Sequence, residues 1–315
     1  AYTGKDKIIK FEGAYHGWSD LHFVSYHPSL TMAAGRHNAP RGLPDSTGMP
    51  QAFVDQLIIQ PFNDLEVIEK TIRERHFEIA AVLIEPALAN CGVIPPVEGY
   101  LEGLRKITEQ YGVLLIFDEV MTGFRIAPGG AQEYYNIKPD ISAFAKVIGG
   151  GFPVACFGGT KEVMEIEAKN EVMHGGTYTA SPLALAAADA VLKRIERDKE
   201  TMYPRLFELS GRLRDGLVRV IRDAGFHCFG QGIGPLFQVF IGDSDIDRLY
   251  NYRDTVGYVR DDIFSAFHAE LQKRGVYCHP GQFERWFLST EHTDQDIDDT
   301  IAAAEESIRA VAKKL

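Results

Sequence analysis

The sequence predicts an α/β fold: a mostly parallel sheet flanked by helices, followed by a smaller carboxyl-terminal α+β domain. Three observations carry that expectation. Apolar strand segments alternate with helical ones through the first half of the chain. Those strands are continuously apolar rather than alternating, which means both faces of the sheet are covered. Beyond about residue 197 the alternation gives way to long helical stretches with isolated strands. A chain of 315 residues, 45% hydrophobic and 24% charged, is long enough for one large core and one smaller one. The division is expected at residues 1–197 and 198–315.

The elements follow in order. Lys7 to Phe11 reads as a short strand. Asn63 or Asp64 caps a helix reaching about His76, with Leu65, Ile68 and Ile72 as its apolar positions and acidic residues in its first turn. Ile79 to Ile84 is an unbroken apolar strand, a helix runs from Glu98 to Tyr111 and stops at Gly112, and the next strand is Val113 to Phe117. This is a βαβαβ pattern. Short strands are expected near Ile141 to Phe144 and Val154 to Gly158. An alanine-rich helix from Ser181, with Pro182 in its first turn, reaches about Arg197, and a second spans about Glu200 to Ala224 before Gly225. Then come a strand at Leu236 to Ile241, a helix from about Tyr258 to Arg274, strands near Val276 to Cys278 and Trp286 to Ser289, and a terminal helix from Thr293. The polar stretch from His27 to Gln51, rich in Gly and Pro, is a loop of a length that is usually functional or disordered.

Charge and cysteine usage narrow the function. With 33 basic and 44 acidic side chains the net charge is -11, which argues against nucleic acid or an anionic membrane and for small-molecule partners. Cys91, Cys156, Cys228 and Cys278 are far apart and form no CxxC pair, so neither a disulfide framework nor a zinc knuckle is indicated; no metal site is expected, and a reducing cytoplasm fits. No run approaches the roughly 18 apolar residues that span a bilayer.

In open α/β sheets, ligands bind beyond the carboxyl ends of the strands. Four such segments carry chemistry: Glu12 to Gly17, Glu85 to Asn90, Asp118 to Arg125 and Ala145 to Gly151. Asp118 ends an apolar run, and Lys146 is a lone lysine among apolar and glycine residues, where desolvation disfavours the ammonium form and leaves a nucleophilic amine. Taken singly, a strand-end Asp is a turn or cap residue, such a lysine is a surface side chain, and Tyr15 and Val120 are core residues. Together they answer the demands of pyridoxal phosphate: a lysine for its aldehyde, an acid for its ring nitrogen, and two walls for its ring.

The chain also resembles a known family. Phe11-Glu12-Gly13-Ala14-Tyr15-His16-Gly17, Glu85-Pro86, Phe117-Asp118-Glu119-Val120-Met121-Thr122-Gly123-Phe124-Arg125 and Lys146-Val147-Ile148-Gly149-Gly150-Gly151-Phe152-Pro153 are similar, in order, to the signature blocks of class III (fold type I) pyridoxal-phosphate aminotransferases. Leu43-Pro44-Asp45-Ser46, Gln60-Pro61-Phe62-Asn63-Asp64, the block Met121-Thr122-Gly123-Phe124-Arg125 and Gln282-Phe283-Glu284 are most similar to the glutamate-1-semialdehyde 2,1-aminomutase branch.

The resemblance implies roles residue by residue. Lys146 forms the Schiff base with pyridoxal 5′-phosphate and shuttles a proton. Asp118 pairs with the ring nitrogen, Val120 and Tyr15 sandwich the ring, and Asn90 bonds the phenolic oxygen. Glu85 braces the neighbourhood of His16. Gly176 and Thr177 reach the phosphate of a neighbouring subunit, which implies a homodimer with shared active sites; read alone, Gly175 to Thr177 is a turn before a helix. The loop from His27 to Gln51 matches the family's gate, and Glu284 matches a carboxylate near the substrate. The expected partners are a small-molecule amino donor and a carbonyl acceptor.

Departures keep alternatives open. Arg285 and Trp286 stand where the aminomutase has small residues. The Ser-Gly-Thr type loop that binds the cofactor phosphate normally precedes the segment at which this sequence begins, so a fragment of a longer enzyme is expected. Aminomutase and intermolecular transaminase compete. Another reaction on the same fold (racemase or decarboxylase) and a non-catalytic fragment lacking the phosphate loop are the remaining readings.

Overall fold

The computed structural model describes residues 1–314. Contacts divide the chain into two compact units, one of residues 1–86 and 96–199 and one of residues 87–95 and 200–315.

The first unit is built on a six-stranded sheet. Its elements in chain order are β1 (Lys7–Phe11), the hairpin β2 (Gly35–Arg36) and β3 (Ala39–Pro40), α1 (Gln51–Val54), β4 (Leu57–Gln60), α2 (Leu65–Arg75), β5 (Ile79–Ile84), α3 (Tyr100–Tyr111), β6 (Leu114–Asp118), α4 (Gly130–Tyr135), β7 (Ile141–Phe144), β8 (Cys156–Gly159) and α5 (Lys161–Ala168). The strand order is β4-β1-β5-β6-β7-β8. All pairings are parallel except β7 with β8, which is antiparallel. As expected for a covered sheet, Ile9, Val82, Ile84, Leu115 and Phe117 have no exposed surface.

Local chemistry sets the helix limits. Asp64 accepts a hydrogen bond from the Val67 amide at 3.1 Å and caps α2. Gly112 takes a left-handed backbone, φ 61°, to end α3 and turn the chain into β6. The loop between His27 and Gln51 is not structureless, because the small hairpin and a short 3₁₀ turn at Met32–Ala34 fall within it. Strand β4, whose four residues are all buried, lies outside the elements expected from the sequence.

Helix α6 (Pro182–Asp223) is one 42-residue helix, not the two expected. No Gly or Pro separates Arg197 from Glu200, and local ion pairs such as Lys193–Asp189 and Lys199–Glu196 line its exposed side. Pro204 lies within it.

The second unit contains β9 (His227–Ile233), β10 (Leu236–Gly242), α7 (Tyr252–Tyr258), α8 (Asp261–Lys273), β11 (Trp286–Phe287) and α9 (Asp294–Ala312). Its antiparallel sheet has the order β11-β10-β9. Leu217 and Ile221 of α6, Phe264 and Leu271 of α8 and Ile297 and Ile308 of α9 pack with Phe237, Val239 and Ile241 into one core. A capping box between Thr293 and Asp296 starts α9. The strand expected near Val276 to Cys278 does not form, and Tyr277 is 90% exposed there.

Candidate active site at the carboxyl edge of the sheet

Strands β6 and β7 run side by side, with Asp118 opposite Ala143. The Glu119 amide donates to the Ala143 carbonyl at 2.9 Å, so the register holds to the very end of β6. Asp118 and Lys146 therefore leave the sheet from neighbouring parallel strand ends, the place where such sheets bind ligands.

Asp118 is 8% exposed. Its Oδ2 lies 2.7 Å from His16 Nδ1, and its Oδ1 accepts from the Val120 amide at 3.0 Å. The His16 side chain is only 2% exposed. Burial pushes the imidazole pKa down, against the opposing pull of Asp118, which favours the neutral ring. A neutral ring facing a carboxylate must carry its proton on Nδ1, so His16 donates to Asp118. His16 Nε2 is then an acceptor, buried and, among the described residues, without a hydrogen-bond partner.

Lys146 adopts a left-handed backbone, φ 55°, at the start of a short 3₁₀ turn. A lysine gains nothing from that conformation, which is strain of the kind found at functional positions. The turn buries Ile148 and Gly149 while leaving Lys146 exposed, with Nζ against Met121 Sδ. The desolvation expected from its apolar sequence neighbours is thus not supplied by those neighbours.

Tyr15 follows β1. Its amide donates to Glu85 Oε1 at 2.9 Å, tying the end of β1 to that of β5. Its ring packs on Tyr26 at 5.0 Å between centroids and edge-on to Phe23 at 6.3 Å. Asp45 accepts from the amides of Tyr26 at 2.7 Å and His27 at 3.3 Å, so residues of the long loop are fastened against the Tyr15 aromatic cluster.

Beside Asp118, Glu119 organises the following loop. Its carboxylate accepts from Thr122 Oγ1, the amides of Ala131 and Gln132, and Gln132 Nε2, at 2.6 to 3.2 Å. Burial pushes its pKa up, and these four donors pull the other way.

In the second unit Asn90 is 5% exposed within the short turn Ala89–Cys91. Its Oδ1 accepts from Arg285 Nη1, which also pairs with Glu284. Gly176 and Thr177 lie in an exposed turn, where the Thr179 amide donates to the Gly176 carbonyl at 3.0 Å.

The sequence model of the class III aminotransferases matches residues 1–283. This chain belongs to the class III aminotransferases. It is 40% identical over 311 residues to a glutamate-1-semialdehyde 2,1-aminomutase of Geotalea daltonii, an alignment spanning 98% of this chain and 70% of that protein. An omega-transaminase from Sphaerobacter thermophilus superposes with a TM-score of 0.90 at 33% identity, over 99% of this chain and 70% of that one. A transaminase solved with PLP bound superposes with a TM-score of 0.84 at 25% identity, over 99% and 69%.

Class III membership brings amino-group transfer between small-molecule donors and acceptors, with pyridoxal 5′-phosphate as cofactor. The residues of this aminotransferase fit that group. Each Asp118 oxygen already accepts one hydrogen bond and keeps a further lone-pair site, and an amine emerges from the adjacent strand end. Of the residues singled out from sequence, Asp118, Val120, Lys146 and Tyr15 sit on the carboxyl edge of the first unit, whereas Asn90 and Glu284 belong to the second. The His16–Asp118 bond and the Arg285–Asn90 bond were not anticipated. In the sequence only the recurrence of chemistry after successive strands points to the first, and only the unusual identity of Arg285 points to the second.

Proposed function

We propose that this class III aminotransferase exchanges an amino group between a small amine or amino acid and a carbonyl compound, with Lys146 and Asp118 as its catalytic residues. The observation that carries the reading is the emergence of these two groups from adjacent parallel strand ends, with Asp118 backed by His16. Pyridoxal 5′-phosphate, when bound, supplies an aldehyde and a protonated heteroaromatic ring that accepts electrons. Lys146 Nζ holds the cofactor, then takes a proton from the substrate carbon and returns it as general base and acid. Asp118 keeps the proton on the ring nitrogen through a charge-assisted hydrogen bond of about 1.5–3 kcal/mol. Tyr15 and Val120 bound the ring, Asn90 donates to the phenolic oxygen, and Glu284 serves the substrate.

The working form is a homodimer with shared sites, in which Gly176 and Thr177 serve the neighbouring subunit's phosphate. That reading is supported by the exposure of those residues and of Met173, Tyr178 and Leu183 around them. Residues 1–197, apart from the 87–95 segment that clusters with the second unit, act as the cofactor domain and 198–315 as the small domain. The four cysteines are free, which supports a cytoplasmic enzyme. Among the described residues no helix is long and apolar enough to cross a membrane.

Adding pyridoxal phosphate to the purified chain is expected to produce a visible absorption band that Lys146→Ala lacks; a band independent of Lys146 sinks the assignment. Donors are then offered with and without a keto-acid acceptor. Turnover of glutamate 1-semialdehyde without acceptor identifies an aminomutase, and strict acceptor dependence an intermolecular transaminase. Arg285 and Trp286, in place of small residues, favour the second outcome.

A further inference from the structure

No binding or catalytic role is assigned to Arg285 above, yet it is one of the best-buried cations in the second unit. Its side chain is 9% exposed, and Nη1 donates both to Asn90 Oδ1 and to the carboxylate of Glu284. A guanidinium has donors and no acceptor, so only the oxygen of an amide can face it. The Asn90 amide is therefore held in one of its two orientations, with Oδ1 toward Arg285 and Nδ2 on the opposite side. Flipping it would set an NH₂ group against a buried cation.

The surroundings leave both partners little freedom. The turn carrying Asn90 is closed by reciprocal bonds between Leu88 and Ile94 at 2.9 and 3.0 Å. Gly92 donates to the Phe283 carbonyl at 2.7 Å, Thr255 Oγ1 to the Cys91 carbonyl at 3.1 Å, and Gln231 Nε2 to the Val93 carbonyl at 3.4 Å. On the other side, Gln282 has no exposed surface and accepts from the Ile241 amide at 2.6 Å, while Gln238 Nε2 donates to the Glu284 carbonyl. Glu284 supplies the counter-charge that a buried guanidinium needs.

We propose that Arg285 is a positioning residue: neutralised by Glu284, it locks the Asn90 amide so that Nδ2 is presented as a hydrogen-bond donor to the phenolic oxygen of the cofactor. This rests on the reading that Asn90 meets that oxygen. A fixed donor stabilises negative charge on the oxygen and so lowers the proton affinity of the conjugated system joined to it. An amide free to flip loses that effect in part.

The test is the pH titration of the visible band of the enzyme loaded with pyridoxal phosphate, together with its equilibrium affinity for that compound. Arg285→Met is paired with Glu284→Gln so that no unpaired carboxylate is left buried. The double variant is expected to move the titration midpoint upward by on the order of one unit, a tenfold change in proton affinity, and to weaken cofactor binding. Asn90→Ala is expected to move both in the same direction. Adding the double change to Asn90→Ala should then do little more, because the two act through one donor. Additive shifts, or no shift in the double variant, overturn the proposal. Should that variant not fold, Asn90→Asp decides: it keeps an oxygen toward Arg285 but puts an acceptor where Nδ2 was, and its midpoint should rise at least as far as that of Asn90→Ala. A wild-type midpoint in Asn90→Asp overturns it. Absence of any Lys146-dependent band in the wild-type enzyme overturns the function itself, and this inference with it; a band that titrates alike in wild type and variants overturns the role of Arg285 alone.

Discussion

His16 Nδ1 lies 2.7 Å from Asp118 Oδ2, although 102 residues separate them in the chain. The sheet order makes the pair: β1 and β6 both flank β5, so the segment after β1 comes beside the end of β6. The imidazole acts through the carboxylate, fixing its orientation. His16→Ala removes that donor and leaves a buried acceptor short of one bond. A hydrogen bond to a charged group is worth about 1.5–3 kcal/mol, which expressed in the transition state is about a 10–100-fold loss of kcat. His16→Asn, whose amide nitrogen can take the place of Nδ1, is expected to recover much of it. Equal kcat in wild type and His16→Ala would remove the positioning role.

The βαβαβ core was legible because covered strands are continuously apolar, a signal that Ile79–Ile84 and the strand ending at Asp118 carry plainly. The acid and the lysine were legible as residues following strands. Contacts across the sheet were not, since no local pattern says which strands are neighbours. Strand β9 escaped notice because Gly230 and Gly232 lower its propensity, and pairing with β10 along its whole length overrides that. The break expected near Arg197 failed for the opposite reason: a charged stretch without Gly or Pro is good helix. The exposed setting of Lys146 is not legible in the sequence because apolar sequence neighbours are not spatial neighbours in a tight turn.

The pH dependence of stability follows from two desolvated histidines, the buried imidazole of His16 and the half-buried one of His22. Burial lowers the pKa of His16, and also that of His22, below the ordinary value of 6.5. Between 6.5 and the lowered values the unfolded chain takes up protons that the native state refuses. Stability is therefore intact above pH 6.5 and falls as the pH drops below it, levelling off under the folded-state values. Denaturant titrations of the wild type from pH 7.5 to 5 should show that fall. His16→Asn, which does not titrate, should show a shallower one, with His22 responsible for the remainder.

Glu119 has four donors converging on its carboxylate, from Thr122, Ala131 and Gln132. Glu119→Gln turns an amide nitrogen toward at least one of them. The expected cost is about 1–3 kcal/mol of stability for unsatisfied buried groups, read as a lower melting temperature. The loop after Asp118 should also become more open to proteolysis. Because burial raises the Glu119 pKa above 4.5, the stabilisation linked to its proton is full below 4.5 and is lost as the pH rises through the raised value. The Gln variant lacks that component, so its deficit against wild type should be larger at acid pH than at neutral pH.

Gly92 tests how rigidly the Asn90 turn must be held. Its φ is 85°, a conformation that costs other residues strain, and a Cβ there would lie 2.1 Å from the Phe240 ring and 3.0 Å from the Gln282 carbonyl. Phe240 is itself buried against Phe229, with centroids 5.2 Å apart, so it has little room to yield. Gly92→Ala is therefore expected to destabilise the second unit by about 1–3 kcal/mol from overpacking, with backbone strain in addition. The displacement must reach Asn90, two residues away in the same turn, and cofactor affinity should fall with stability. Gly99 also has a positive φ, 78°, but a Cβ there meets nothing within 4 Å. Gly99→Ala thus carries the strain without the collision, and a thermal melt of the two variants separates the contributions: equal losses would mean that the Phe240 contact does not constrain the turn.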